Sequence, residues 1–175
     1  MGKVVFVPTI SGPFLRESPS LWKQGKKYLN WWTRKSVFYY PYVLISYYYS
    51  KLNPFVVGNL NREYFEIPRE VLVVGDSGGY TVYTKKVELD PADVALWQME
   101  NVDIAIGLDV PFGFTENVDI DTVRRHAKKS HNNYVIQLNT LYRHDKPVSF
   151  YPVLHGLHPK HIVEWYNIAI KPLLK

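Results

Sequence analysis

Five short runs of apolar, largely β-branched residues recur at positions 4–7, 43–45, 71–74, 104–108 and 150–154. Each is followed by Gly, Pro, Ser or Asp and then by a longer amphipathic or mixed stretch. Continuous apolar runs of this kind predict strands buried on both faces of a parallel sheet, and the intervals leave room for crossover helices. Residues 91–100 read as a helix, with Asp90 as N-cap and Pro91 at the first helical position. Residues 121–141 predict a second helix, with Val123, Ala127, Tyr134 and Leu138 inward and Arg124, Arg125, Lys128 and Lys129 outward. Residues 159–170 predict a third, opened by His158-Pro159 and stopped near Pro172. No repeat, linker or low-complexity tract interrupts this order, so one α/β domain is expected over residues 1–175.

Composition narrows the class. With 46% hydrophobic and 15% aromatic residues, the 175-residue chain has ample material for a core, which argues against disorder as its main state. Twenty-one Lys and Arg against sixteen Asp and Glu leave a net charge of +5. That balance suits a polyanionic partner, although a solvated basic surface explains it nearly as well. The absence of cysteine excludes disulfides, a thiolate nucleophile and Cys-ligated zinc, and makes a cytoplasmic location the default expectation. The opening apolar run is too short for a signal peptide and reads as a strand. The aromatic run at residues 37–49 is broken by Pro41, Ser46 and tyrosine hydroxyls, so no membrane span is expected.

In parallel α/β folds the working residues lie just past the C-terminal ends of the strands. Asp76-Ser77-Gly78-Gly79-Tyr80 occupies such a place: a carboxylate and a hydroxyl leave a buried strand together, on a backbone that two glycines open to a planar ligand. A tight turn in which Asp76 caps the following segment fits the same residues. Asp109 ends the run 104–108 and precedes Val110-Pro111-Phe112, delivering a second carboxylate to the same edge. Two such carboxylates can divide acid-base and recognition roles, or Asp109 can be a structural hydrogen-bonding residue. Asp103 reads as a solvated or capping residue at the opposite end of its strand.

His155, His158 and His161 are spaced by three, but Gly156 and Pro159 break any common helix and no carboxylate with ligand spacing joins them, so no metal site is expected. His155, at a strand end, is the better candidate for touching a ligand. The cations at 124, 125, 128 and 129 form either a solvated outer face or a helix face that follows a phosphate backbone. The aromatic residues Phe38, Tyr39, Tyr40, Tyr42, Tyr47, Tyr48 and Tyr49 suit base stacking, and suit packing at the core and rim more readily.

Several segments, in order, resemble the tRNA-guanine transglycosylase family. Phe6-Val7-Pro8-Thr9 is similar to its opening strand, and Val43-Leu44-Ile45-Ser46-Tyr47-Tyr48-Tyr49-Ser50-Lys51-Leu52 to the segment around its second strand. Asp76-Ser77-Gly78-Gly79-Tyr80-Thr81-Val82 resembles the hallmark Asp-Ser-Gly-Gly-Phe-Gln-Val, and Val102-Asp103-Ile104-Ala105-Ile106-Gly107-Leu108-Asp109 the next Asp-bearing strand. Tyr151-Pro152-Val153-Leu154-His155-Gly156 stands where the family has a strand ending in Gln-Gly. The resemblance implies a (β/α)8 TIM-barrel-like fold, of which this chain carries the N-terminal part, about five βα units. It also implies a pentosyltransferase that exchanges guanine for a 7-deazaguanine in tRNA or DNA through a covalent link to the sugar.

On that resemblance Asp76 is the acid-base carboxylate, Asp109 reads the guanine edge, and Ser77, Gly78, Gly79, His155 and Gly156 line the substrate site. One ionised carboxylate can accept both N1-H and N2-H of guanine, while proton transfer to the base needs a second group. Thr81 and His155 stand where the family has glutamines. The family's nucleophilic Asp and its Cys/His zinc site have no counterpart here, so no cofactor is expected. These departures favour the divergent relatives that insert 7-deazaguanines into DNA. The chain alone is then expected to bind guanine or a 7-deazaguanine without exchanging it, and to self-associate or need a complementing polypeptide. A non-catalytic base- or nucleic-acid-binding module is the alternative. An unrelated barrel acting on a phosphosugar is less well served, since Gly78-Gly79 is not followed by Lys-Ser or Lys-Thr.

Overall fold

The apolar runs around Val43, Val73 and Ala105 form the first three strands of a parallel sheet, with those three residues fully buried, in the computed structural model, which describes residues 5–10, 30–36, 38–51, 61–113, 118–144 and 148–174. The elements are β1 (Tyr42–Ser46), α1 (Tyr47–Lys51), β2 (Leu72–Asp76), α2 (Gly79–Lys85), α3 (Pro91–Asn101), β3 (Ile104–Ile106), α4 (Ile120–Arg143), β4 (Ser149–Tyr151) and α5 (Pro159–Trp165). The strands lie side by side in chain order, all parallel. β1 and β2 pair from Tyr42 with Leu72 through Ser46 with Asp76.

The opening segment departs from expectation. Residues 5–7 form no strand, and the segment meets the sheet later, where Thr9 bridges Leu44 in parallel. Leu44 N donates to Pro8 O (2.8 Å) and Ile10 N to Leu44 O (3.0 Å). Pro8 has no N–H to extend the ladder backwards, and Phe6 is 74% exposed. Val4, Val37 and Leu52, which belong to the predicted runs and motif, lie outside the described residues.

The strands at 104–108 and 150–154 are also shorter than predicted, because side chains replace the ladder at their C-terminal ends. Between β2 and β3 only Val74 with Ile104 and Gly75 with Ala105 pair. Beyond them Gln98 Nε2, rising from α3, donates to both Gly75 O (3.0 Å) and Ile106 O (2.8 Å). Past β4, the Tyr134 hydroxyl donates to Val153 O (3.2 Å) and accepts from Val153 N (3.3 Å), and Trp165 Nε1 donates to the same carbonyl (2.8 Å). The backbone groups stay satisfied although the strands have ended.

Two apolar clusters hold the layers together. One packs β1, β2 and β3 against Val94, Ala95 and Trp97 of α3. The other packs Val123, Ala127 and Tyr134 of α4 against Trp165, Ala169 and Phe112. Asp90 caps α3 by accepting from Ala92 N (2.7 Å), as predicted, and α4 starts one residue earlier than predicted, capped by Asp119, which accepts from Thr122 N (2.7 Å). The inward face of α4 also carries buried Ser130 and Gln137, while the predicted Leu138 is only half buried. After Trp165 the helical path continues as a π turn, Tyr166–Ile170, and a 3-10 turn, Lys171–Leu174, which accommodates Pro172 near its start. Asp103, at the N-terminal end of β3, accepts from Arg62 Nη2 (2.5 Å) and Val73 N (2.8 Å), so it ties two strands together. No described helix is long and apolar enough to cross a membrane.

Candidate functional site at the C-terminal edge of the sheet

Asp76 is the last residue of β2, and the chain turns at once into α2, an element the sequence analysis read only as a turn. Gly78 makes the turn with φ 89°, a left-handed conformation that disfavours a Cβ. A Cβ there would also lie 2.7 Å from Tyr48 Cβ. Gly78 N donates to Asp76 Oδ2 (3.1 Å). Gly79 lies directly on Asp109: a Cβ at that position would overlap the Asp109 carboxylate and sit 2.8 Å from its carbonyl oxygen. Gly78 thus lets the β2 end close on the β1–α1 junction, and Gly79 lets it close on the β3 end. Ser77 is fully buried and donates to Gly107 O (3.2 Å), so its hydroxyl already joins these two ends.

Asp109 belongs to a segment that has left the sheet but is held along its length by α4. Gln137 Oε1 accepts from Leu108 N (2.6 Å), Asn133 Nδ2 donates to Leu108 O (3.1 Å), and Ser130 Oγ accepts from Val110 N (2.8 Å). His126 Nδ1 lies 3.0 Å from Val110 O, which makes it the protonated ring nitrogen. The spacing of positions 126, 130, 133 and 137 puts all four on one helix face. That polar stripe, at helical spacing on a buried face, is a signal for this role in the sequence that the predicted inward set of Val123, Ala127, Tyr134 and Leu138 does not include. Asp109 itself is buried, and its Oδ2 lies 2.5 Å from His155 Nε2. The imidazole is fixed by edge-on contact with Trp165 (4.7 Å between centroids) and by Phe112 (6.0 Å).

Burial pushes the Asp76 carboxyl above the usual aspartate range, the neighbouring hydroxyl of Ser46 opposes that rise, and the charge of Asp109 adds to it. Ser46 Oγ is buried, makes no hydrogen bond of good geometry, and stands opposite Asp76 in the β1–β2 register. Asp76 therefore holds its proton more tightly folded than unfolded. Its contribution favours folding below the unfolded value and is lost as pH rises through the raised folded value. Asp76→Asn is accordingly expected to stabilise the fold at neutral pH, with the gain vanishing in acid. Urea unfolding of both proteins across pH checks this, and an equal gain at every pH would contradict it.

The remaining predicted positions separate. Gly156 packs on α5, where a Cβ would meet the backbone nitrogen of Ile162 at 2.7 Å. Arg124 is engaged by Glu164 (2.6 Å) and Asp121 (3.1 Å), and Arg125 Nη2 donates to Thr122 Oγ1 (3.1 Å). Lys128 and Lys129 are exposed. The four cations do not form one free face. Tyr47 and Tyr48 are buried, whereas Phe38 and Tyr39 are exposed. The residues present do not fit the zinc site of the resembled family: the chain has no cysteine, and no group of three His, Asp or Glu able to hold a metal converges among the described residues. Comparison of the chain with protein-family models, with curated proteins and with solved structures finds no match.

Proposed function

We propose that the chain is the base-binding portion of a (β/α)8 transglycosylase-type barrel and that it takes guanine or a 7-deazaguanine from DNA or tRNA in the cytoplasm. The observation that carries this reading is the arrival of Asp76 and Asp109 at the C-terminal ends of consecutive parallel strands, with Gly79 packed against Asp109. The strands follow one another in chain order, as the first units of such a barrel do. Their environments suit a division of labour. On this proposal Asp76, whose carboxyl burial holds above the usual aspartate range, carries a proton to or from a base, and Asp109 accepts from the donors of a guanine edge.

In this reading the base edge reaches Asp109 by displacing His155 from Oδ2. His155→Ala is then expected to strengthen guanine binding about two- to tenfold, the worth of one hydrogen bond released. Calorimetry measures it, and weaker binding would mean that the imidazole holds the base itself. The motif resemblance assigns no nucleophilic carboxylate to these residues, and covalent exchange at a sugar carbon requires one. Binding by this chain, and exchange only with a complementing polypeptide that brings such a carboxylate, is the consequence. Titration with guanine, preQ0, adenine and cytosine tests the reading. Equal affinity for all four would refute it, and incorporation of labelled guanine into DNA or tRNA by the purified chain would refute the dependence on a partner.

A further inference from the structure

Beside Asp109 an open cleft of about 530 Å³ lies between α2 and α4, floored by Leu108, Asp109 and Val110. Its walls carry Lys86 and Lys129. Lys86 follows α2 in a left-handed conformation (φ 54°), with its N–H held by Val82 O. Lys129 faces it from α4, and Arg125 stands one turn earlier on the same helix face. Both lysines are exposed, and neither has an ion-pair partner among the described residues. Of the carboxylates in the lining, Asp109 is buried and engaged by His155, which leaves Glu88 against two cations. The ring of Tyr83, 45% exposed, also lines the cleft.

Two unpaired ammonium groups, an accessible aromatic ring and an open trough form the combination that tracks a nucleic-acid strand: the cations meet phosphates and the ring takes a base on its face. The trough leads directly to Asp109. A base presented at a strand-end carboxylate must leave its stack, and its flanking backbone then has to run along the protein surface beside that residue. We infer that this cleft binds the phosphodiester backbone of a single nucleic-acid strand, with Lys86 and Lys129 on its phosphates and Tyr83 under a base next to the one held at Asp109. This inference rests on the base-binding reading above. Lysines act here as point charges, so the contact is independent of sequence.

The test uses a labelled twelve-nucleotide single strand that lacks guanine, as DNA and as RNA, so that the base site itself is not engaged. Fluorescence anisotropy across a salt series is expected to show binding that Lys86→Glu with Lys129→Glu weakens at least tenfold. The slope of log affinity against log salt should shrink by about 1.4, for two phosphate contacts at ~0.7 each. Tyr83→Ala is expected to lose about fivefold or more. Lys86→Asn, which tolerates the left-handed conformation, gives a second variant free of backbone strain. The α5 control, Lys160→Glu together with Lys171→Glu in the 3-10 turn beyond that helix, leaves the cleft lining untouched and is expected to change little. Affinity that survives the cleft substitutions, or that falls as much in the α5 control, would overturn the inference. Guanine titration of the same variants separates the two readings. Lost strand binding with intact guanine binding confirms the cleft, whereas strand binding without any guanine binding removes the base site and leaves the cleft standing. A preference between DNA and RNA identifies the polymer.

Discussion

Asp109→Asn is expected to weaken guanine binding by about tenfold to a hundredfold, the range for a hydrogen bond to a charged group in a partly desolvated site. The carboxylate is buried and offers only acceptors, whereas the guanine edge offers donors. An amide presents its own donors on one side and leaves the matching groups of the base unpaired. Asparagine has nearly the same shape, and its oxygen can still meet His155 Nε2, so the fold around Gly79 and Trp165 should persist. Asp76→Asn is expected to weaken binding less, because in the proposed site Asp76 serves proton transfer and does not accept the donors of the guanine edge. Isothermal titration of the three proteins with guanine and adenine gives the comparison. Unchanged guanine affinity in Asp109→Asn would remove Asp109 from the site.

Gln137→Leu should destabilise the protein by about 2–6 kcal/mol, through two buried groups left without partners at ~1–3 kcal/mol each. Gln137 is fully buried; Leu108 N donates to its Oε1 and its Nε2 donates to Gln98 Oε1 (3.0 Å). Gln98 in turn donates to Gly75 O and Ile106 O. These two amides therefore run from the residue before Asp76 to the residue before Asp109, across the point where the β2–β3 ladder has stopped. Leucine fills a similar volume and supplies neither donor nor acceptor. Since a whole domain is stable by only about 5–15 kcal/mol, the loss is large. Urea unfolding with an unchanged m-value would report it cleanly, and a loss below about 1 kcal/mol would show that water or a shifted backbone takes over the bonds.

The sequence by itself determined the positions of β1, β2 and β3, the parallel α/β class, the helices opened by Asp90-Pro91 and His158-Pro159, and the placing of Asp76 and Asp109 at the C-terminal ends of two successive strands. These are local signals: a continuous apolar run, a 3.6-residue period, a cap, or a residue that follows a strand directly. Tertiary structure alone decided how those pieces work together. The strand after Asp103 ends at Ile106 rather than Leu108 because Gln98 and Gln137 take over its hydrogen bonds from two different helices. Ser77 turns inward because Gly107, thirty residues away, offers it a carbonyl. His155 meets Asp109 across forty-six residues, and Arg124 meets Glu164 across forty. Each of these partnerships depends on which chain segments the sheet brings side by side, and a polar residue chooses its partner only after burial has removed water as the competing one.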